Sequence, residues 1–318
     1  MNACDVSVII VSWNTKNLLK DCINSVIKET TKYSYDIWVV DNNSPDNSAD
    51  MVGKEFPDVN LIANSDNKGF SAANNQALRV AAGKNLLLLN PDTLIKDNAI
   101  DKMLDYIYSH NVGIVTCKLL NTDGSLQKSV SGFYSLWKTF IDNRLVAEIL
   151  QNVKLSKAKI YSAWDHNSLR EIDWARGAVL LFSREVMNKI GLLDERYFIY
   201  GEEIDFYYRA RKNNIKAVFL PDVEIIHHGK SSSRQKKSEM FIQNYKSLYI
   251  FLKKNYPFYS YYIYRIRVVF YCIIWILRFS IGSLIKKILR KDSTGDITQL
   301  RIYLKTFIWH FSKESLIY

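Results

Sequence analysis

Polar clusters follow directly on short apolar runs at three places in the first hundred residues. They are Ser12-Trp13-Asn14, Asp41-Asn42-Asn43 and Asn90-Pro91-Asp92. A carboxylate in such a place can accept a ligand N–H or, as a hard oxygen ligand, help to hold Mg²⁺ or Mn²⁺. A further acidic group, Glu202-Glu203-Ile204-Asp205, offers carboxylates for general base chemistry.

Strand-like and helical patterns alternate over about the first 120 residues. Val6 to Val11 is apolar, β-branched and too short for a helix, which is typical of a strand buried on both faces of a parallel sheet. Residues 18–27 repeat apolar positions with helical spacing, with Asn14 or Thr15 as the N-cap. Parallel strands need crossover helices, so the alternation predicts a doubly wound α/β sheet. Such sheets bind ligands at the carboxyl ends of their strands, so the three clusters should converge on one edge.

The second half of the chain is less regular. Residues 125–172 mix Tyr, Trp and Lys without a sustained period, and we expect a variable, partly mobile region there. Two short strands are predicted at Ala217–Leu220 and Val223–Ile226, and helices from Gln235 to the end.

Five stretches stand in the same order as in the family 2 glycosyltransferases. They are Val6–Asn14, Val39–Ser44, Asn67-x-Gly69-Phe70-x-x-x-Asn74, Asn90-Pro91-Asp92 and Glu202-Glu203-x-Asp205. The sequence resembles most the rhamnosyltransferase-like enzymes of bacterial polysaccharide and O-antigen assembly, over about residues 5–235. The resemblance implies a GT-A fold, a Rossmann-like and mostly parallel sheet flanked by helices, in a domain of residues 1–234. It also implies a nucleotide-sugar donor, a divalent metal and inversion at the anomeric carbon.

The resemblance assigns a set of positions to donor binding. They are Ser12, Trp13, Asn14, Asp41, Asn67, Gly69, Asn90, Asp92 and Arg176. Asp41 would read the base, and the alternative is a residue that only caps its turn. Asn67-Lys68-Gly69 precedes a helix whose free N–H groups could face a phosphate. Arg176 would touch the diphosphate or form a structural ion pair.

The metal ligands implied by the family are Asp92 and a histidine. Asn90-Pro91-Asp92 occupies the place of the D-x-D motif, with Asn90 replacing the first Asp. Mg²⁺ or Mn²⁺ held there would neutralise the departing diphosphate. The alternative is that Asp92 caps a helix beginning near Thr93. His227 is favoured over His228 as the second ligand. Neutral imidazole is a competent ligand for Mn²⁺ but a poor one for Mg²⁺.

The catalytic base is assigned to the acidic cluster. Glu203 matches the family's second acid and would accept the proton of the acceptor hydroxyl, with Glu202 as the nearest substitute and Asp205 nearby. The family more often has Asp at the position of Glu203. The alternative is an acidic first helical turn that only complements the helix dipole.

The C-terminal region, residues 235–318, differs from the rest in charge and in aromatic content. Residues 227–318 hold 17 Lys and Arg against 4 Asp and Glu, whereas the chain as a whole has a net charge of +11. Ten of the 24 residues from Tyr256 to Phe279 are aromatic. The apolar run Val268–Leu277 is short of the ~20 residues of a membrane span, so we expect helices lying at the interface of an anionic membrane. The alternative is a soluble helical domain or a homodimer interface. No nucleic-acid motif accompanies the region.

Cysteine usage and the N-terminus point to the cytoplasm. The four cysteines are far apart without a C-x-x-C pair, and residues 1–11 lack a basic leader and a cleavage site. Together with the basic aromatic C-terminal region, the family resemblance implies an enzyme at the cytoplasmic face of the membrane that transfers a sugar to a saccharide acceptor, lipid-linked in such pathways. A non-catalytic binding protein is the alternative. An oxidoreductase is disfavoured because no G-x-G-x-x-G follows the first strand.

Overall fold

A computed structural model describes residues 4–110, 112–134, 164–229 and 237–318. The chain divides into two compact units. The sheet unit comprises Met1–Glu195 and Glu202–Ser232, and the helical unit comprises Arg196–Gly201 and Ser233–Tyr318. The sequence-based domain boundary after residue 234 stays a prediction.

Strands and helices alternate through the sheet unit. The strands are β1 (Val6–Ser12), β2 (Tyr35–Asp41), β3 (Asn60–Ala63), β4 (Asn85–Leu89), β5 (Thr93–Ile95), β6 (Ile114–Leu120), β7 (Leu126–Gln127), β8 (Val130–Ser131), β9 (Arg170–Glu171), β10 (Trp174–Ala175), β11 (Val179–Ser183) and β12 (Ala217–His227). The helices are α1 (Lys16–Glu29), α2 (Ser48–Glu55), α3 (Phe70–Val80), α4 (Ala99–Ser109), α5 (Arg184–Ile190) and α6 (Glu202–Lys212).

The main sheet is mixed and mostly parallel, with the strand order β3-β2-β1-β4-β11-β6-β12-β5. β1 pairs in parallel with β2 and β4, β2 with β3, and β6 with β12, whereas β11 and β5 run antiparallel to their neighbours. The carboxyl ends of β1, β2, β3, β4, β6 and β12 therefore lie at one edge of the sheet. We call this edge the carboxyl edge.

The predicted apolar runs form the centre of the sheet. All residues of β1 and β4 are buried, and α1, α2 and α4 contribute apolar side chains to the same core cluster. Full burial of each such aliphatic side chain contributes about 1.5–3 kcal/mol. This packing fixes the strand ends that carry the polar clusters, and it confirms the predicted α/β class.

Three local predictions need correction. Thr93 begins the strand β5 and not a helix, because it pairs with His227 of β12. The two strands expected at 217–226 are one strand with an irregularity between Leu220 and Glu224. Thr15 occupies the N-cap of α1 but its side chain caps no backbone N–H. Residues 135–163 of the expected variable region lie outside the described residues, and the short strands β7 to β10 flank them.

From Lys237 onward the helical unit is built of helices, as predicted. They are α7 (Lys237–Asn255), α8 (Phe258–Ile288), α9 (Thr294–His310) and α10 (Glu314–Ile317). Tyr249 and His310 form a buried hydrogen bond of 2.7 Å between Oη and Nε2, which joins α7 to α9. Arg265 of α8 donates to the carbonyls of His310 and Ser315. These contacts hold the helices together by polar groups as well as by aromatic packing.

One face of α8 is apolar and exposed. Its residues are Ile266, Phe270, Ile273, Ile274, Leu277, Ile281, Leu284 and Ile288, which recur every three or four positions. Over the 31 residues of α8, an 18-residue window reaches a mean hydropathy of 2.1 with 11% of it buried. By length and composition alone this one helix of the described chain could cross a membrane. The helix is longer than the uninterrupted ten-residue run by which its length was judged, and its position at a membrane interface stays a prediction.

Candidate active site at the carboxyl edge

The loops after β1, β2 and β3 are hydrogen-bonded to one another. The backbone N–H of Asn14 donates to Ser44 Oγ at 2.9 Å, and that of Lys16 donates to Asp46 Oδ2 at 2.8 Å. Asn42 Nδ2 donates to the carbonyl of Gly69 at 3.1 Å. The segments predicted to bind a donor are thus tied into one surface at the carboxyl edge.

Asp41 ends β2 and is only 2% exposed. Its Oδ2 accepts the backbone N–H of Ser44 at 2.9 Å, so the residue does cap its turn. Its Oδ1 is buried, and no donor in the described part of the chain reaches it. A buried acceptor without a partner costs about 1–3 kcal/mol, so Asp41 Oδ1 is poised to receive a ligand N–H.

Ser12, Trp13 and Asn14 lie at the end of β1. Ser12 is fully buried, and its Oγ lies 3.0 Å from Thr15 Oγ1. Asn14 adopts a left-handed backbone conformation with φ of 56°, which turns the chain from β1 towards α1. Trp13 is partly buried. The hydroxyl of Ser12 therefore serves the turn, whereas Trp13 and Asn14 line the edge.

The N-terminus of α3 is shaped by Asn67 and Gly69. Asn67 Oδ1 accepts the backbone N–H of Gly69 at 2.9 Å, and Gly69 has φ of +84°, which favours glycine. Ser71 Oγ and Asn74 Oδ1 are buried, and neither has a hydrogen-bond partner among the described residues. The backbone N–H groups of this helix start and the Ser71 hydroxyl are donors that a phosphate could accept from, whereas Asn74 Oδ1 can only accept.

Asp92 and His227 meet at the ends of β4 and β12. Asp92 Oδ1 lies 3.2 Å from His227 Nε2, and both side chains are largely buried. The backbone N–H of His228 donates to the Asp92 carbonyl at 2.9 Å, which directs the adjacent His227 ring towards the carboxylate. Asn90 Nδ2 lies 3.4 Å from the same ring nitrogen. The structure thus brings Asn90 and Asp92 together with His227, although 137 positions separate Asn90 from His227 in the sequence.

These residues fit a divalent cation as a partial ligand set. Neighbouring ligands of an octahedral ion with bonds of about 2.1 Å stand about 3 Å apart, close to the observed 3.2 Å between the Asp92 and His227 donor atoms. Among the described residues no group of three or more His, Cys, Asp or Glu could hold a metal. The remaining ligands would have to come from the donor diphosphate and water.

The acidic cluster begins α6, and its three carboxylates differ in environment. Glu202 is buried, and this burial together with the neighbouring Glu203 raises the pKa of Glu202 well above its usual range. Asp205 is fully buried and forms an ion pair with Arg209 at 2.8 Å. Glu203 is partly exposed. Of the three, Glu203 is the carboxylate most accessible to a substrate.

The segment before β11 lies beside both Asn90 and Glu203. The Asn90 backbone N–H donates to the Ala178 carbonyl at 3.0 Å. A Cβ added to the adjacent Gly177 would lie 3.6 Å from Cβ of Glu203. One short stretch therefore contacts both Asn90 and Glu203. Arg176, at the start of this stretch, is exposed, and its backbone N–H donates to the Ser129 carbonyl at 2.9 Å.

One polar residue of this site was missed by the sequence analysis. Gln127 of β7 lies with Oε1 2.6 Å from Nδ1 of His227. A single Gln in an irregular stretch gives no signal, because only the sheet brings residues 127 and 227 together.

Residues 7–153 match the sequence profile described as Glycosyl transferase family 2. The low-salt glycan biosynthesis hexosyltransferase Agl10 of Haloferax volcanii is 28% identical over 70% of this chain and 67% of its own length. The N-acetylglucosaminyl-diphospho-decaprenol L-rhamnosyltransferase of Mycobacterium tuberculosis is 24% identical over 70% of this chain and 76% of its own length.

A similar solved structure is a mannosyltransferase from Pyrobaculum calidifontis in complex with GDP-Man and Mn²⁺. It is 18% identical with a TM-score of 0.50, and the match covers 78% of this chain and 63% of that one. At this identity the likeness concerns the fold alone.

The mixed, mostly parallel sheet with its flanking helices has the GT-A fold, as predicted. The match of residues 7–153 to glycosyltransferase family 2 and the glycosyltransferase relatives support a glycosyltransferase, as the sequence resemblance indicated. A non-catalytic binding protein and an oxidoreductase, the two alternatives, are thereby disfavoured.

Proposed function

We propose that the protein is an inverting, metal-dependent glycosyltransferase that moves a sugar from a nucleotide-sugar donor to a lipid-linked saccharide in cell-surface polysaccharide biosynthesis. The observation that carries the proposal is the cluster at the carboxyl edge. Asp92 and His227 face each other at 3.2 Å, and Asn90 is hydrogen-bonded to the segment that packs against Glu203.

The donor would lie along the loops after β1, β2 and β3. Asp41 Oδ1 would accept the imino N–H of a pyrimidine base, because it is a buried acceptor that lacks a partner in the described chain. The N-terminus of α3 at Gly69 would face a phosphate, and Trp13, Asn14, Asn67 and Arg176 would line the donor. The hydrogen bonds between these loops preorganise that surface for donor binding.

Asp92 and His227 would hold Mn²⁺ or Mg²⁺. Imidazole favours Mn²⁺ over Mg²⁺, and the similar mannosyltransferase structure contains Mn²⁺. When bound, the cation supplies positive charge that stabilises the leaving diphosphate. Asn90 contributes an amide where an acid is common in the family, so the site carries one carboxylate fewer and should hold metal weakly without donor.

Glu203 would be the general base. The acceptor oxygen attacks C1 of the sugar, the C1–O bond to the diphosphate breaks, and the hydroxyl proton passes to the Glu203 carboxylate. Glu202 is the poorer candidate, because its side chain is buried whereas that of Glu203 is partly exposed. Asp205 is committed to Arg209, so we assign it the positioning of α6 and not contact with substrate.

The acceptor class and the location are proposed from the relatives and from the helical unit. The mycobacterial relative is named for a decaprenol-diphosphate acceptor and for L-rhamnose, which makes rhamnose the first sugar to test. The exposed apolar face of α8 and the basic residues Lys287, Arg290 and Lys291 near its C-terminal end suit the anionic cytoplasmic surface of the inner membrane. Pairing of this face with a second copy, as a homodimer, is the competing arrangement.

A turnover screen tests the proposal. Purified full-length chain is incubated with a panel of UDP-, GDP- and dTDP-sugars and a prenyl-diphosphate-linked saccharide, with Mn²⁺, with Mg²⁺ or with EDTA. We expect one donor to release nucleoside diphosphate, with Mn²⁺ at least as effective as Mg²⁺ and with EDTA abolishing release. Product of retained anomeric configuration, or full turnover in EDTA, would contradict the proposed mechanism.

A further inference from the structure

We propose that Gln127 is a positioning residue that fixes the ring of His227 with its proton on Nδ1, so that Nε2 presents a lone pair beside Asp92. The inference deepens the proposed function, because the use of that lone pair rests on a cation at Asp92 and His227. The arrangement of hydrogen bonds behind His227 carries it.

The direction of these hydrogen bonds is set at Asp123. Ser125 Oγ and the Ser125 backbone N–H both donate to Asp123 Oδ1, at 2.6 and 2.9 Å. These bonds lower the pKa of Asp123, which keeps it ionised and able only to accept. With its one proton directed to Asp123, the Ser125 hydroxyl must accept from its other neighbour, Asn121 Nδ2, at 2.9 Å.

The same logic passes from Asn121 to Gln127. Since Asn121 Nδ2 donates to Ser125, Asn121 Oδ1 is the atom that accepts from Gln127 Nε2, at 3.0 Å. Gln127 Nε2 also donates to the backbone carbonyl of His227 at 3.2 Å. A carbonyl can only accept, so this second contact independently places the nitrogen of the Gln127 amide on that side.

The remaining polar atom of the Gln127 amide, Oε1, then determines which ring nitrogen of His227 carries the proton. Gln127 Oε1 lies 2.6 Å from His227 Nδ1, and an amide oxygen only accepts, so Nδ1 must carry a proton. In the neutral ring Nε2 is left with its lone pair, 3.2 Å from Asp92 Oδ1 and 3.4 Å from Asn90 Nδ2. Nε2 with its lone pair and the neighbouring Asp92 carboxylate oxygen are two ligand atoms that one cation can bind. Hydrogen bonds to the far nitrogen of a ligating histidine commonly set which nitrogen binds metal.

Ring ¹⁵N NMR of the histidines tests the inference without metal or substrate. Full-length protein is measured at a pH where the ring is neutral, as wild type, Gln127→Met, Gln127→Glu and the matched control Gln243→Met in the helical unit. His310 serves as an internal reference, because its Nδ1 lies 2.7 Å from the Thr306 carbonyl and so carries the proton as well.

We expect Nδ1–H at His227 in the wild type, in Gln127→Glu and in Gln243→Met, and loss of the single tautomer in Gln127→Met with His310 unchanged. An Nε2–H tautomer in the wild type, or wild-type His227 signals in Gln127→Met, would overturn the inference.

A Mn²⁺ titration, read as paramagnetic broadening of the His227 ring signals, tests the consequence for the cation. Gln127→Met should need about 10–100 times more Mn²⁺ than the wild type for half-broadening, whereas Gln127→Glu should stay close to the wild type. Equal broadening in the wild type and Gln127→Met would overturn this consequence. Neither readout requires turnover, so an inactive protein with the expected tautomer would count against the proposed function alone.

Discussion

His227 in the sheet unit and His310 in the helical unit show how differently the two regions use a buried histidine. Both present Nδ1 to an acceptor, Gln127 Oε1 and the Thr306 carbonyl respectively. At His310 the second nitrogen is also committed, to Tyr249 Oη, and burial lowers the pKa of the ring. At His227 the second nitrogen faces Asp92 and Asn90. A histidine with both nitrogens committed to its own helices is structural, whereas one that keeps a nitrogen beside a carboxylate is suited to bind.

The two units also differ in the kind of group that they leave without a partner in the described chain. The carboxyl edge carries buried acceptors without partners in the described chain, such as Asp41 Oδ1, whereas the helical unit carries an exposed apolar stripe on α8. Unpaired acceptors call for a polar ligand, and exposed aliphatic and aromatic side chains call for lipid or protein. The two regions thus divide the proposed work into chemistry and docking.

The largest expected effect distinguishes the acids of α6. Glu203→Gln removes the proposed proton acceptor and should lower kcat by about 10³-fold, within the range for loss of a general base. Glu202→Gln should lower kcat less than about tenfold, because Glu202 is buried and less accessible to a substrate than Glu203. Steady-state kinetics with the donor found in the screen gives both values, with exposed Glu171→Gln as a control. A larger loss in Glu202→Gln than in Glu203→Gln would reverse the assignment.

The next effect concerns docking. Phe270→Glu combined with Ile274→Glu places two charges on the exposed stripe of α8 and should reduce binding to phosphatidylglycerol-containing vesicles about tenfold or more. Co-sedimentation measures it, with Leu169→Glu, an equally drastic change at an exposed apolar residue of the sheet unit, as the control. Unchanged vesicle binding together with loss of a dimer in ultracentrifugation would favour the homodimer instead.

The smallest effect is the pH dependence of stability at Glu202. The native pKa of Glu202 is raised above its unfolded value, so its contribution is fully present below about pH 4.5 and is lost as pH rises through the native pKa. Between about pH 4.5 and the native pKa of Glu202, the free energy of unfolding of Glu202→Gln should therefore rise relative to that of the wild type by up to about 1.4 kcal/mol per pH unit. Urea titrations at several pH values measure the difference. A constant difference across the window would mean that Glu202 is not desolvated.

The predictable part of the fold came from short apolar runs and the polar residues after them. β1, β2 and β4 could be recognised because strands buried on both faces must be apolar throughout, and their ends therefore stand out. Asp41 and Asn90 to Asp92 were found in this way, and their convergence followed from the direction of parallel strands.

What could not be predicted depends on pairing between distant segments. The His227 to Thr93 pairing made β5 a strand, although three residues after a Pro-Asp turn give no periodicity. Gln127 faces His227 only because β7 folds back on β6, and the burial that separates Glu202 from Glu203 follows from packing around α6. The continuity of α8 across Arg278 was underestimated because an interrupted apolar run was counted as an ended one.

Calorimetric titration of nucleoside diphosphate tests the central claim most directly, namely that Asp92 and His227 hold the cation that binds the donor. UDP, GDP and dTDP are titrated into wild type, Asp92→Ala, His227→Gln and the control His228→Gln, with Mn²⁺ or with EDTA. We predict that one diphosphate binds the wild type and His228→Gln only with Mn²⁺, and that Asp92→Ala and His227→Gln lose this Mn²⁺-dependent binding. Equal affinity in EDTA, or Mn²⁺-dependent binding that survives Asp92→Ala, would contradict the account.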